Sequence, residues 1–146
     1  MHGWVGSDWT KSDNGGLWYN SARGYGIYGV NGNKYNNGSN SSYGAAFANG
    51  DIISCALDLD NGFIMWAENG VWYNNGNPLT GANAAYTGLT GEFLTANFAQ
   101  AAGAGDDTPA FYNFGQKPFK YAPPEGFKTL CLANLPRLIV TGKLSC

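Results

Sequence analysis

Thirty-nine of the 146 residues are glycine or asparagine, and no other property of the chain limits its fold as strongly. Both residues tolerate positive φ, the backbone state that tight turns demand. A chain that places them every few residues is a succession of turns joining short strands. Helices have little room: the Ala-rich stretch at 100–104 contains Gly103 and runs into Gly105, and each glycine costs a helix about 1 kcal/mol. Leu, Ile, Val and Phe together number only 28, while aromatic residues make up 15% of the chain. The core is therefore aromatic rather than aliphatic. A chain of 146 residues suits one domain whose core needs no disulfide or metal staple.

Strand patterns recur between the turns. Tyr25, Ile27 and Val30 lie in a glycine-spaced run. Residues 52–59 place Ile53, Cys55, Leu57 and Leu59 on one face. Asp60-Asn61-Gly62 then reads as a primed hairpin turn, with 63–66 returning as the second arm. Asn69-Gly70 is another turn, followed by Val71-Trp72-Tyr73. Further strands are expected at 92–98, 110–114, 127–133 and 138–144. Residues 31–38 echo residues 69–76, but two copies fall short of a repeat architecture, so the echo is read as the same turn chemistry used twice. Many short strands between turn signals predict an all-β, two-sheet antiparallel sandwich.

Charge excludes several function classes. Eight basic and ten acidic residues leave a net charge of -2, too little positive charge to hold nucleic acid electrostatically. No apolar run is long enough to span a bilayer. The opening Met1-His2-Gly3-Trp4 has no basic segment leading into an apolar core, so no signal peptide is expected. The cysteines are read as reduced. Cys55 reads as a small buried hydrophobe, Cys131 and Cys146 are the pair left for a bridge, and none has zinc-ligand spacing.

From Tyr43-Gly44 onward the landmarks form an ordered set: Phe47, Gly50-Asp51-Ile52-Ile53, Ala56-Leu57-Asp58-Leu59-Asp60-Asn61-Gly62, Trp66 and Asn69-Gly70. They resume at Asn113-Phe114-Gly115-Gln116, Pro118-Phe119 and Pro124-Glu125-Gly126-Phe127. In this order they resemble the SPRY domain family over roughly residues 24–130. The resemblance implies a bent, concanavalin-like sandwich that is non-catalytic and binds partners, usually proteins, through loops at one end. The Gly/Asn/aromatic character is similar to SPRY-like segments of bacteriophage and other virion proteins, which implies an oligomeric assembly role in a virion or host cytoplasm. Against the family pattern, the opening strands are expected to be missing. The chain then divides into an aromatic N-terminal segment at 1–23, a sandwich at 24–133 and a strand-like tail at 134–146. Either the tail or a neighbouring chain would cover the sheet edge left open.

Catalytic chemistry finds little support. The sole histidine is His2, near the terminus, so a Ser-His-Asp or Cys-His mechanism lacks its base. Asp58 and Asp60 share a strand face at a spacing compatible with glycoside hydrolysis, yet the Glu-x-Asp-x-x-Glu pattern of glycosidases on this fold is absent. The same residues with Asn61 offer too few oxygens for calcium. Gly24-Tyr25-Gly26-Ile27-Tyr28-Gly29 has the wrong spacing for a phosphate loop and no helix after it. Neither a cofactor nor a metal is expected, and the chain is read as no enzyme. Aromatics beside flexible polar loops remain. Trp66, Phe98, Phe114 and Phe119 are read as core filler. Trp4, Trp9, Trp18, Tyr19, Tyr35, Trp72 and Tyr73 are the candidate partner- or ligand-binding residues. The expected partner is protein, through self-association or other virion components. The alternative is a monomer that binds a glycan or peptide through its loops.

Overall fold

The computed structural model describes residues 1–10, 18–97, 110–131 and 134. The chain divides into two compact units, Met1–Ala110 and Phe111–Cys146. Among its described residues the first holds nine strands: β1 (His2–Gly6), β2 (Gly24–Ile27), β3 (Asn33–Asn36), β4 (Ser39–Ser42), β5 (Ile53–Asp58), β6 (Phe63–Glu68), β7 (Val71–Trp72), β8 (Tyr86–Thr87) and β9 (Phe93–Asn97). They form two antiparallel sheets, one ordered β4-β3-β2-β1-β9 and the other β5-β6-β7, with β8 also on β6. This is the expected all-β, two-sheet architecture.

Four strands were not expected: β1, β3, β4 and β8. The opening strand, read from sequence as missing, is present as β1, between β2 and β9, with Val5 opposite both Gly24 and Leu94. Its Gly-Trp-Val-Gly core is too short and glycine-rich to show an alternating pattern, and only its pairing reveals it.

The register sorts the first sheet into two faces. Trp4, Tyr25 and Thr95 lie opposite one another, as do Ile27 and Lys34, so these side chains share a face. That face meets the second sheet. The Trp4 indole N–H donates to Cys55 Sγ at 3.3 Å, and the Tyr25 and Tyr86 rings lie 5.2 Å apart. Lys34 Nζ donates to the Ala85 carbonyl at 2.6 Å. Val5, Gly24, Gly26, Tyr35 and Ala96 share the other face. There Met1, Trp9 and Tyr19 pack against Val5 and Ala96.

In the second sheet, β5 and β6 pair Cys55 with Trp66 and Leu57 with Ile64. The register keeps Ile53, Cys55 and Leu57 on one face as expected, but Cys55, read from sequence as buried, is exposed, as is Leu59 in the turn, and Ala56 is the buried residue of β5. The 59–62 connection is a four-residue loop. Gly62 is its positive-φ residue and Asn61 is not, so it is not the expected two-residue primed turn. Asp58 caps it by accepting the Asn61 backbone N–H at 2.9 Å and side-chain amide at 2.8 Å. Phe63 to Ala67 of β6 are all buried. Trp66 meets Tyr43 edge-on. On the opposite face the 76–85 loop covers Phe63 so closely that a Cβ on Gly81 would come within 2.9 Å of its ring. Burying Ile64, Met65 and Trp66 contributes about 1.5–3 kcal/mol or more per side chain.

The second unit shows no strand among its described residues, contrary to the expectations at 110–114 and 127–131. Asn113 and Gln116 instead build a turn: Asn113 Oδ1 accepts from the Gly115 and Lys117 N–H groups, and Gln116 Oε1 from Phe114 N–H. Phe114 is half-buried and stacks on Tyr112, and Phe119, expected as core filler, is exposed. Phe98, Cys146 and the strand expected at 138–144 lie outside the described residues.

Candidate functional site

The loops that join the strands at one end of the first unit are bound to one another by short polar side chains. The 48–51 turn closes on Asp51, which accepts the Ala48 N–H at 2.7 Å and the Asn69 amide at 2.8 Å. These two donors hold the Asp51 carboxyl below the usual carboxylate range, Ala48 contributing most. Asn69 answers in kind, its Oδ1 accepting Ile52 N–H at 3.1 Å. Asn69 can do so because it occupies the left-handed region, at φ 49, which asparagine tolerates.

Tyr73 is the strut of this end. Its ring packs flat enough on Gly44 that a Cβ there would come within 2.6 Å of it. Its hydroxyl donates to Glu68 Oε2 at 3.0 Å. Burial pushes its phenol up, and the Glu68 carboxylate pushes in the same direction. Tyr43 is buried beside it, with ring centroids 6.1 Å apart. Burial raises its phenol to about 12, and its hydroxyl donates to the Asn83 carbonyl at 3.3 Å. Two apolar residues stand exposed beside these struts, Val71 at 72% and Ile52 at 36%. Val71 pairs with Glu68, which pairs in turn with Ile53, so Ile52 and Val71 flank the Glu68-Asn69 corner.

The seven candidate aromatics do not converge. Trp72 and Tyr73 belong to this loop cluster, Trp72 half-buried and Tyr73 buried. Trp4 lies between the sheets. Trp9, Tyr19 and Tyr35 belong to the far face of the first sheet, where Tyr19 and Tyr35 meet edge-on at 5.9 Å. The Trp9 indole N–H is buried there without a partner. Trp18 begins the short 3-10 turn Trp18–Asn20. Sequence reasoning missed Ile52, Glu68 and Asn69 as members of one site. The Asn69-Gly70 turn signal was visible, but its bond to Asp51 spans 18 residues.

Among the described residues, no three His, Cys, Asp or Glu side chains cluster to hold a metal. No helix among them is long and apolar enough to cross a membrane. The groups at this end accept and donate hydrogen bonds and offer apolar contact.

The SPRY domain family model matches residues 2–103. The chain belongs to the SPRY domain family. The match begins inside β1, in agreement with the opening strand seen in the fold. SPRY domains are generally non-catalytic interaction modules. Two relatives from Drosophila melanogaster carry similar segments. The ATP-dependent RNA helicase Ddx1 is 32% identical over 107 residues, covering 73% of this chain and 13% of the helicase. The Ran-binding proteins 9/10 homolog is 30% identical over 98 residues, covering 66% of this chain and 9% of that protein. The chain thus spans about a tenth of the length of each. The likeness is to a segment of each relative.

Proposed function

We propose that this SPRY domain is a recognition module that takes an extended segment of a protein partner on the loop cluster around Glu68 and Asn69. The observation that carries the reading is the pairing of a hydrogen-bonded base with apolar tips. Asp51, Asn69 and Tyr73 hold the loops in one geometry, and Ile52 and Val71 stand exposed on them. Loops held before binding lose little entropy on association. Ile52 and Val71 supply apolar contact, Trp72 extends it, and Glu68 and the backbone supply polar register. Tyr73 acts beneath the surface as a positioning residue. Trp9, Tyr19 and Tyr35 are assigned to covering the first sheet.

The test is a peptide-display selection on the purified domain, followed by affinity measurement on variants. Val71→Asp is expected to weaken a selected peptide about tenfold, a loss of about 1.4 kcal/mol, with an unchanged thermal midpoint. Unchanged affinity in Val71→Asp and Trp72→Ala, with loss in Tyr35→Ala, would move the site to the far face of the first sheet. A glycan array that binds while every peptide fails would replace the partner class. The virion-assembly reading draws no support from either relative. A defined oligomer by light scattering would bring it back, whereas a monomer fits the recognition reading.

A further inference from the structure

The chain contains seven Asn-Gly dipeptides, at 14, 31, 37, 49, 61, 69 and 75, and six of them are described. Such a pair can react with itself, because glycine leaves its backbone nitrogen unshielded beside the asparagine carboxamide. The reaction needs both partners free. The nitrogen must lose its proton, and the carboxamide must swing onto it.

Five of the six pairs are held at one partner or both. Gly32, Gly38 and Gly76 donate their N–H groups to the carbonyls of Tyr28, Tyr19 and Tyr73, at 2.8, 3.3 and 2.9 Å. The carboxamide of Asn61 is bonded to Asp58, and that of Asn69 to Asp51 and Ile52. The Asn31 carboxamide is also held, by Asn33 N–H. Asn49-Gly50 is the exception. Both residues are exposed, and no hydrogen bond holds the carboxamide or the Gly50 N–H. No atom beyond its two chain neighbours lies within 4 Å of the Cβ position of Gly50.

We infer that Asn49 is a site of spontaneous covalent modification, converted to aspartate and isoaspartate with water as the sole co-reactant. The Gly50 nitrogen gives its proton to solvent and attacks Asn49 Cγ. The Cγ–Nδ2 bond breaks, and Nδ2 takes up a proton and leaves as ammonia. The resulting five-membered imide adds one water at either carbonyl. One opening gives aspartate. The other gives isoaspartate, which routes the main chain through Cγ and adds a carbon to the 48–51 turn. Either product places a new negative charge two residues from Asp51, in the loop cluster assigned above to recognition. That functional consequence rests on the recognition reading, whereas the modification does not.

The experiment ages the intact chain at mildly alkaline pH and quantifies the one-dalton gain at each site by peptide mapping, with isoaspartyl methyltransferase labelling. In the folded chain, Asn49 is expected to react about tenfold faster than Asn31, Asn37, Asn61, Asn69 or Asn75, the factor that one retained hydrogen bond can impose on each of them. In urea its lead is expected to vanish. A folded-state rate at any of those five equal to that at Asn49 would overturn the inference. So would a lead that persists in urea, since that would come from local sequence and not from the fold.

Discussion

Asn69 performs two tasks with one carboxamide, donating to Asp51 and accepting from Ile52. Replacing it by Ala leaves the Ile52 N–H and one Asp51 oxygen without this partner and forces a Cβ residue with no compensating bond into the left-handed region. Asn69→Ala is expected to lower stability by about 1–2 kcal/mol, read as a fall in the urea midpoint. Asp51 carries a pH dependence whose sign follows from its lowered carboxyl. Its contribution is fully present above the ordinary carboxylate value of 3.8 and is lost as pH falls through the lower folded value. Hydrogen-exchange protection of the Ala48 N–H should therefore survive at neutral pH and fall away in strong acid. Protection that does not change with acidification would show that the carboxylate is not what holds the turn. At the opposite end of the strands, Arg23 pairs with Asp8 at 2.6 Å, donates to the Thr90 and Glu92 carbonyls and lies 5.0 Å over the Phe93 ring. A planar fork is needed to reach these acceptors at once. Arg23→Lys is expected to lose nearly as much stability as Arg23→Ala, about 1–2 kcal/mol in thermal unfolding.

At the scale of elements, β6 is the structural centre. Trp66→Ala is expected to cost about 3–5 kcal/mol, a large part of the stability of a domain this size, measured by denaturant unfolding. In sequence, 63–66 reads as the second arm of a hairpin and Trp66 as core filler, and the continuous apolar run fits a strand buried on both faces. The β3–β4 hairpin shows the converse. Asn37 and Gly38 both take positive φ, as a primed turn requires, and the pairing runs from Asn36↔Ser39 to Asn33↔Ser42. Yet β4 reads Ser-Asn-Ser-Ser and is fully exposed. An edge strand held by backbone bonds and by the Asn33 amide donating to Asn40 Oδ1 leaves no hydrophobic trace in sequence. β1 was missed for a related reason: glycines bracket the Trp4-Val5 pair, and no run is long enough to show a period. The recognition cluster was half legible. Trp72 and Tyr73 stood out as aromatics beside turns, but the bonds from Asp51 to Asn69 and from Tyr73 to Ala45 join segments no local pattern connects.

At the scale of the whole molecule, the SPRY landmarks from Tyr43 to Asn69-Gly70 fall on the loops and strands of the second sheet and its border. The first sheet depends on segments that carry few of them. Its order places β1 in the interior, so removing residues 1–6 would separate β2 from β9. A chain beginning at Gly24 is expected to lack cooperative unfolding by circular dichroism, whereas the full chain unfolds in one transition. A cooperative transition in the shortened chain would show that β2 and β9 can close on each other. The same placement bears on the order of events at synthesis. His2 pairs with Asn97 and Gly6 with Phe93, so β1 leaves the ribosome long before its second neighbour is made. Joining partners so far apart in sequence carries a loop-closure cost that neighbouring hairpins escape. The β3–β4 and β5–β6 hairpins can form while the chain is still growing. Until β9 emerges, one side of β1 has no neighbour, and during that interval another strand could take its place.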